Sequence, residues 1–160
     1  MAAVAARVKV AVVGATGQLG ADLVDVFRAS GRWEVVGLSH EQVEVSRWDS
    51  VKEALEVIKP DVVVNAAAFT RVDACESEAE AAFRINALGA LHVARAAEGT
   101  GALCVYISTD YVFDGRRGEP AGGWGSERAE NAAPLPYTEQ DPPNPINVYG
   151  ASKLAGEVLT

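Results

Sequence analysis

The sequence of 160 residues predicts an α/β fold, a doubly wound parallel sheet with helices on both faces. Three observations support this prediction. An apolar strand pattern near the N-terminus enters a glycine turn and then a helical pattern, strand and helix patterns alternate as far as Ile107, and a helical pattern resumes at 148–157. Such alternation is typical of parallel sheets, because consecutive parallel strands need a crossover connection, usually a helix.

The stretch from residue 8 to residue 20 predicts a phosphate-binding turn. Residues 8–13 are an apolar, β-branched run, which is typical of a strand buried on both faces. The run enters Gly14-x-x-Gly17-x-x-Gly20, where glycines let the backbone approach a pyrophosphate and a helix start offers free N–H groups. We interpret it as a Rossmann-like dinucleotide site. An ordinary glycine-rich turn is the alternative, since the spacing differs from the usual G-x-G-x-x-G.

Short apolar runs and capping patterns predict the remaining elements. Four further strands are predicted at 34–38, 43–45, 61–65 and 103–107. Ser-x-x-Glu patterns at 50–53 and 77–80 predict capping boxes that open two helices. The first helix is expected to end at Lys59-Pro60 and the second near Gly99. Asn86 is a polar interruption in the second helix, and the pattern leaves open whether it faces solvent.

A long irregular loop is predicted at 115–148, which holds six of the seven prolines and shows no sustained periodicity. The length suits one domain with a sizeable core. We therefore interpret residues 1–160 as one NAD(P)-binding domain.

Composition and charge exclude several classes of partner. A net charge of −8 argues against nucleic acid, since no basic stripe is present to contact phosphates. No apolar run approaches the ~18 residues of a membrane span, and the alanine-rich start does not resemble a secretion signal. A cytoplasmic protein without a membrane partner is expected. Cys75 and Cys104 lack metal-ligand spacing, so no metal site is expected, and His40 and His92 have no evident acidic partner.

The end of the second predicted strand bears on the choice of cofactor. An acidic residue there would bind the ribose 2′-hydroxyl of NAD, and Ser39-His40 provides none. This leaves room for the 2′-phosphate of NADP, so NADPH is the preferred cofactor and NADH the alternative. The preference is mild because Glu41 is nearby.

Tyr149 and Lys153 are four residues apart and share a face on a helix. A phenol normally titrates near 10, and an adjacent ammonium should lower its pKa toward a range useful for proton transfer. Thr109 follows a strand expected to end at the same sheet edge, where its hydroxyl can donate to a carbonyl oxygen. A surface Tyr–Lys pair is the alternative, but the glycine turn favours a catalytic role.

With these motifs the chain resembles the extended short-chain dehydrogenase/reductases, and within them the dTDP-4-dehydrorhamnose reductases. The matching stretches are Gly14-Ala-Thr-Gly-Gln-Leu-Gly20, the segment from Asn65 to Glu78, Ile107-Ser-Thr-Asp-Tyr-Val-Phe-Asp-Gly115, Pro136-Tyr-Thr-Glu-Gln-Asp141 and the helix from Asn147 to Glu157. Together they span nearly all of residues 8–160.

The resemblance implies an NAD(P)H-dependent reductase that acts on the 4-keto carbon of a nucleotide-linked 6-deoxy sugar, as in dTDP-rhamnose synthesis. Tyr149 would protonate the oxyanion, Thr109 would polarise the carbonyl, and Lys153 would hold the ribose and tune Tyr149. The residues implied to lie near the sugar are Thr70, Val72 and Tyr111. The cofactor-binding residues, from the glycine turn and from the resemblance, are Gly14, Thr16, Gly17, Gln18, Leu19, Gly20, Ser39, Glu44, Val45, Ala66, Ala67, Ala68, Tyr149 and Lys153.

Two departures from the family pattern qualify this interpretation. Residues 116–134 resemble an insertion, which would lie beside the catalytic tyrosine and reshape access for the substrate. Members of the family are about twice as long, so we expect a fold truncated before the last strands and the substrate-binding lobe. The chain is then expected to be inactive alone.

Two other functions stay open at this point. One is a non-catalytic, dinucleotide-binding regulatory subunit like the β subunit of methionine adenosyltransferase, which shares the 109–115 and Tyr-x-x-x-Lys stretches. The other is a sugar-nucleotide epimerase or dehydratase, which shares the catalytic residues but not the segment 70–78. The sequence also leaves the oligomeric state open, a homodimer included.

Overall fold

The structure, a computed structural model, describes residues 7–117 and 135–160. These residues contain four strands in one sheet, in the order β2-β1-β3-β4. The strands are β1 (Lys9–Val13), β2 (Glu34–Leu38), β3 (Val62–Asn65) and β4 (Leu103–Tyr106). All three neighbouring pairs are parallel, which confirms the predicted α/β fold with a parallel sheet.

At least one helix separates each strand from the next, and a last helix follows β4. They are α1 (Gln18–Ala29), α2 (Trp48–Ile58), α3 (Val72–Ser77), α4 (Ala79–Phe83), α5 (Gly89–Thr100) and α6 (Val148–Leu159). A π-helical turn, Arg84–Leu88, joins α4 to α5, and a 3₁₀ turn, Asp110–Val112, follows β4. Within the described part of the chain, no helix is both long and apolar enough to cross a membrane.

The sheet separates two apolar cores. Alternate residues of β1 point to opposite faces, as the two-residue period of a strand requires. Val10 and Val12 pack with Val24 of α1 on one face. Ala11 and Val13 belong to the larger core on the other face, with α2 and α5. Because all four strands run parallel, their carboxyl ends lie at one edge of the sheet.

The predicted short strand at 43–45 is wrong. Val43 and Val45 are buried in the larger core, but their backbone pairs with no strand among the described residues. Instead the Val43 N–H donates to the Ser39 carbonyl at 3.0 Å and closes a turn. The apolar alternation therefore reflects two valines that pack inward from a loop.

The two predicted capping boxes are also wrong. Helix α2 begins at Trp48, before Ser50, and the Ser50 hydroxyl accepts from the Glu44 N–H at 3.0 Å. Ser77 ends α3 and donates to the Ala74 carbonyl. The long helix expected at 77–99 is divided among α4, the π-helical turn and α5. The end of α2 before Lys59, by contrast, is confirmed.

The irregular segment predicted at 115–148 is described only at its two ends. Residues 118–134, which hold most of the predicted insertion at 116–134, lie outside the described residues. Asp114, which precedes those residues, accepts hydrogen bonds from two side chains that follow them. The donors are the Tyr137 hydroxyl at 2.7 Å and the Asn144 amide at 2.9 Å. These bonds tie the chain after β4 to the stretch that enters α6.

Leu55→Ala should destabilise the fold by about 2–5 kcal/mol, because it removes a core side chain and leaves a cavity. Leu55 is 1% exposed in the larger core. Val57→Ala on the same helix is the matched control, because Val57 is 83% exposed and its loss should change the free energy of unfolding by less than about 0.5 kcal/mol. Urea unfolding of both variants measures the difference, and equal effects would contradict the described core.

Candidate active site

The glycine turn after β1 packs directly against the chain that leaves β3. Gly14 has a φ of +83°, and a Cβ there would lie 2.7 Å from the Ala67 nitrogen. A Cβ on Gly20 would overlap the Gly14 carbonyl, so only glycine lets α1 begin this close to the turn. The backbone is thereby exposed in a shallow cradle of the kind that a flat, charged ligand requires.

The N-terminus of α1 is suited to an anion. Gly17 is the N-cap residue, and within the described residues no side chain caps this helix. The Gly14 and Ala15 N–H groups are already bonded to the Leu38 carbonyl at 3.0 Å. The first intrahelical bond of α1 runs from the Ala21 N–H to the Gly17 carbonyl, so the N–H groups of residues 18–20 have no partner within the helix and suit a phosphate, which the helix dipole also favours.

Two clefts lie at the carboxyl edge of the sheet and share Gly17, Ala66 and Ala68. The first cleft, of about 250 Å³, is lined by Gly14, Thr16, Gly17, His40, Val43, Glu44, Val45, Ala66, Ala67, Ala68, Phe69 and Ile85. The second cleft, of about 470 Å³, is lined by Gly17, Gln18, Leu19, Gly20, Asp22, Ala66, Ala68, Thr70, Ile107, Ser108, Tyr149 and Lys153. The small residues after β3 thus form the floor between them.

Most of the residues proposed from the sequence lie in these clefts, and four do not line either one. Ser39 follows β2 next to His40, and Val72 begins α3 beyond Thr70. Thr109 caps the 3₁₀ turn after β4 and accepts from the Tyr111 N–H. Tyr111 is half exposed and its ring meets that of Tyr149 edge to face, with centroids 5.7 Å apart.

Lys153 is buried at the base of the second cleft and is 2% exposed. Its ammonium donates to the Ile107 carbonyl and lies 4.1 Å from the centre of the Tyr106 ring. Burial lowers the pKa of Lys153 to about 8, while Glu157 acts in the opposite direction. The side chain is therefore held at the end of β4 by contacts that do not involve Tyr149.

Tyr149 lies in the first turn of α6 and lines the same cleft. Burial raises the pKa of its phenol, and an interaction with the Thr109 side chain opposes the rise. The expected lowering of this pKa by Lys153 is wrong for this structure, because the buried Lys153 ammonium is directed to a carbonyl and a different ring. The phenol of Tyr149 is therefore neutral at neutral pH.

Asn86, whose placement the sequence left open, is 1% exposed and connects three parts of the site. Its side chain accepts from the Phe69 N–H at 2.7 Å and donates to the Phe69 carbonyl at 3.1 Å and to the Ser152 hydroxyl at 2.9 Å. Sequence reasoning did not assign Asn86 to the site. A polar residue within an apolar helical pattern was the available signal.

His40 has an acidic partner, contrary to expectation. Its imidazole lies 3.3 Å from the Glu44 carboxylate, and both side chains line the first cleft. Burial alone would raise the pKa of Glu44, but hydrogen bonds from Ser46 and the nearby His40 and Arg84 bring it below its usual value. Glu44 is thus an ionised acceptor in the first cleft.

The parallel sheet, the glycine turn with its open helix start and the helix carrying Tyr149 and Lys153 define a Rossmann-fold domain of the extended short-chain dehydrogenase/reductase type. The family model described as the RmlD substrate binding domain matches residues 8–160. The chain therefore belongs to the RmlD substrate-binding domain family, which confirms the resemblance found in the sequence.

Named relatives and a solved structure agree with this membership. The dTDP-4-dehydrorhamnose reductase of Burkholderia thailandensis is 41% identical over 150 residues, which are 94% of this chain and 44% of that protein. The methionine adenosyltransferase 2 subunit beta of Rattus norvegicus is 35% identical over 156 residues, 93% of this chain and 41% of that one. The chain spans about half the length of the curated relatives it matches.

Among solved structures, the crystal structure of dTDP-4-dehydrorhamnose reductase from Bacillus anthracis in complex with NADP has a TM-score of 0.83 to this chain. It is 36% identical, and the superposition covers 98% of this chain and 50% of that one. The described sheet and helices therefore have the fold of about half of that reductase.

Gly20→Ala should destabilise the fold by roughly 1–3 kcal/mol, because the added methyl overlaps the Gly14 carbonyl. Gly99→Ala is the matched control in α5, where a Cβ would meet nothing within 4 Å. It should stabilise by about 0.5–1 kcal/mol through helix propensity. The unfolding free energies of both variants decide the matter, and a Gly20→Ala protein as stable as Gly99→Ala would refute the close approach.

Lys153 should make stability rise with pH. Its pKa is about 8 in the folded chain against the usual 10.5, so between these values the unfolded chain binds more protons. The free energy of unfolding should therefore increase from pH 8 to pH 10.5 relative to Lys153→Met, which lacks the charge. Urea unfolding of both proteins across this window tests the slope. A constant difference between them would show that the pKa is not lowered.

Proposed function

We propose that this chain is the cofactor-binding part of an NADPH-dependent reductase that acts on a nucleotide-linked 4-keto-6-deoxy sugar, like the dTDP-4-dehydrorhamnose reductases. The second cleft carries the proposal. Residues 17–20 of the glycine turn line this cleft together with Tyr149 and Lys153, and the Lys153 side chain is buried. A dinucleotide site and a proton donor thus open onto one space of about 470 Å³.

The geometry suits a dinucleotide laid across both clefts. The pyrophosphate would lie at the N-terminus of α1, the adenosine in the first cleft and the nicotinamide in the second. Ala66 and Ala68, which line both clefts, leave the backbone accessible to a flat ring. The solved Bacillus anthracis reductase, which is a complex with NADP, supports this choice of ligand.

NADPH is proposed before NADH because Ser39 and His40, after β2, provide no acid for a ribose 2′-hydroxyl. The ionised Glu44 in the first cleft keeps NADH as the alternative, since a carboxylate is the usual partner of that hydroxyl.

The bound nicotinamide would supply a hydride to the carbonyl carbon, and the protein would supply the proton and the positions. Tyr149 would donate its phenolic proton to the carbonyl oxygen, so that the ketone becomes a secondary alcohol. Thr109 would donate a hydrogen bond to the same oxygen, and Lys153 would contact the ribose hydroxyls. A raised pKa of Tyr149 suits this direction, because the phenol must hold its proton until the oxygen becomes basic. The side chains proposed to contact the sugar are Thr70, Val72 and Tyr111.

The second candidate is a dinucleotide-binding regulatory subunit. The similarity to the β subunit of methionine adenosyltransferase favours it, at 35% identity over nearly the same span. Such a subunit would use the glycine turn but would not transfer a proton from Tyr149. An epimerase or dehydratase is less favoured, because the segment 70–78 follows the reductase pattern.

Tyr149→Phe should lower turnover of a dTDP-linked 4-keto-6-deoxy sugar by roughly 10²–10⁴-fold in the full-length protein, because a general acid is lost. NADPH affinity, measured by cofactor fluorescence, should hardly change. Lys153→Met should lower both the turnover and the affinity for NADPH, because Lys153 is assigned to the cofactor ribose as well as to Tyr149. Tyr137→Phe is the control, since the Tyr137 hydroxyl binds Asp114 away from the second cleft.

A Tyr149→Phe protein that retains most of its turnover would remove Tyr149 from the mechanism. Absence of turnover in the unmodified protein, together with tight cofactor binding, would favour the regulatory subunit.

A further inference from the structure

The first turn of α6, which carries Tyr149, is capped from two sides. The Asn147 side chain accepts from the Gly150 N–H at 2.7 Å, which is an ordinary local cap. The Val148 N–H donates to the Glu76 carboxylate at 2.8 Å, and Glu76 lies 72 residues earlier in α3. Tyr149 is thus the residue between two N–H groups that are both fixed by side chains.

We infer that Glu76 is a positioning residue for Tyr149: its carboxylate fixes the first turn of α6 to α3 and so sets the direction of the phenol in the second cleft. The inference rests on the proposed function for its catalytic consequence. The bond from Val148 to Glu76 itself is independent of that function.

Helix α3 is a firm support for this contact. Cys75, next to Glu76, is completely buried, and its thiol lies 3.9 Å from the Phe69 carbonyl. Phe69 is in turn bonded through its backbone to the side chain of Asn86. Glu76 therefore connects α6 to a segment that is already anchored in the interior.

On the opposite side, the first turn of α6 lies against the chain after β4. A Cβ on Gly150 would overlap the Tyr111 carbonyl, so the two backbones are in direct contact. The Tyr111 ring also meets the Tyr149 ring edge to face. The first turn is therefore held by Glu76, by Tyr111 and by the Ser152 hydroxyl, which donates to the Tyr149 carbonyl at 2.7 Å, and removing the Glu76 contact leaves the other two in place.

The rest of α6 is anchored by other groups. Ser152 is bonded to Asn86, and Gly156 packs against the hydroxyl of Tyr106 and the carbonyl of Asn86. Lys153 is fixed separately by the Ile107 carbonyl. Loss of Glu76 should therefore loosen the turn that holds Tyr149 while leaving Lys153, and with it cofactor binding, in place.

The test compares Glu76→Ala with Glu76→Gln, which keeps an acceptor oxygen for the Val148 N–H. Glu78→Ala is the matched control, since Glu78 is exposed, pairs with Arg71 and makes no described contact with α6. Amide hydrogen exchange of Val148 and Gly150 is measured in the 160-residue chain. Turnover and the KM for NADPH are measured in the full-length protein, with Tyr149→Phe beside them.

Glu76→Ala should accelerate exchange of the Val148 amide roughly five- to tenfold and lower kcat roughly 10- to 100-fold, with the KM for NADPH unchanged. Glu76→Gln should keep the Val148 exchange rate and kcat close to those of the unmodified protein, and Glu78→Ala should change neither quantity.

Unchanged kcat in Glu76→Ala, in a protein that loses turnover on Tyr149→Phe, would overturn the inference, as would equal losses in Glu76→Ala and Glu76→Gln. A Tyr149→Phe protein with full turnover would instead overturn the proposed function, and the catalytic role of Glu76 would fall with it. The two failures are therefore distinguishable in one set of measurements.

Discussion

The site depends on a contact between two stretches of backbone. The turn after β1 and the chain after β3 approach so closely that a methyl group on Gly14 would lie 2.7 Å from the Ala67 nitrogen. Because β1 and β3 are paired in the sheet, this contact lies at its centre, where ligands of open α/β sheets bind. Gly14 and Ala67 line the first cleft, and Ala66 and Ala68 on either side of Ala67 line the second cleft as well. A side chain at residue 14 would therefore collide with the chain after β3, which lines both clefts at Ala66 and Ala68.

A second constraint is the buried polar network around Asn86. A buried amide is stable only when its hydrogen bonds are satisfied, and Asn86 uses both of its polar atoms, on Phe69 and Ser152. The partners lie in the loop after β3 and in α6, which are far apart in sequence. The network therefore holds the small residues after β3 and the helix of Tyr149 in a fixed relation, as the glycine contact holds those small residues against the turn before α1. The Gly14–Ala67 contact and the Asn86 hydrogen bonds together set how the residues that line the second cleft are positioned.

Much of this could be predicted from the sequence because it is local. The strand, glycine turn and helix from Lys9 to Ala29 follow from apolar period and backbone freedom, and the alternation of elements gave the parallel sheet. The predictions that were wrong concern residues whose contacts lie elsewhere than the local pattern indicates. Ser50 and Ser77 look like caps until their hydroxyls are seen to bond elsewhere, and Val43 and Val45 alternate like a strand although only their side chains are buried. The predicted lowering of the Tyr149 pKa was wrong for the same reason. A spacing of four residues cannot show that the Lys153 ammonium is directed to the Ile107 carbonyl.

The contrast between Tyr149 and Lys153 indicates how one helix can serve two purposes. Lys153 is deeply buried and fixed to the end of β4, so its position is set by the sheet, as a contact to the cofactor ribose would require. Tyr149 is one turn nearer the helix start, less buried, and held by capping groups and by Tyr111. A reductase needs both positions to be accurate, whereas a dinucleotide-binding subunit needs only the first. Relatives of both kinds match 94% and 93% of this chain, so the overall match does not separate the two functions, whereas the need for an accurately held Tyr149 at the first turn of α6 does.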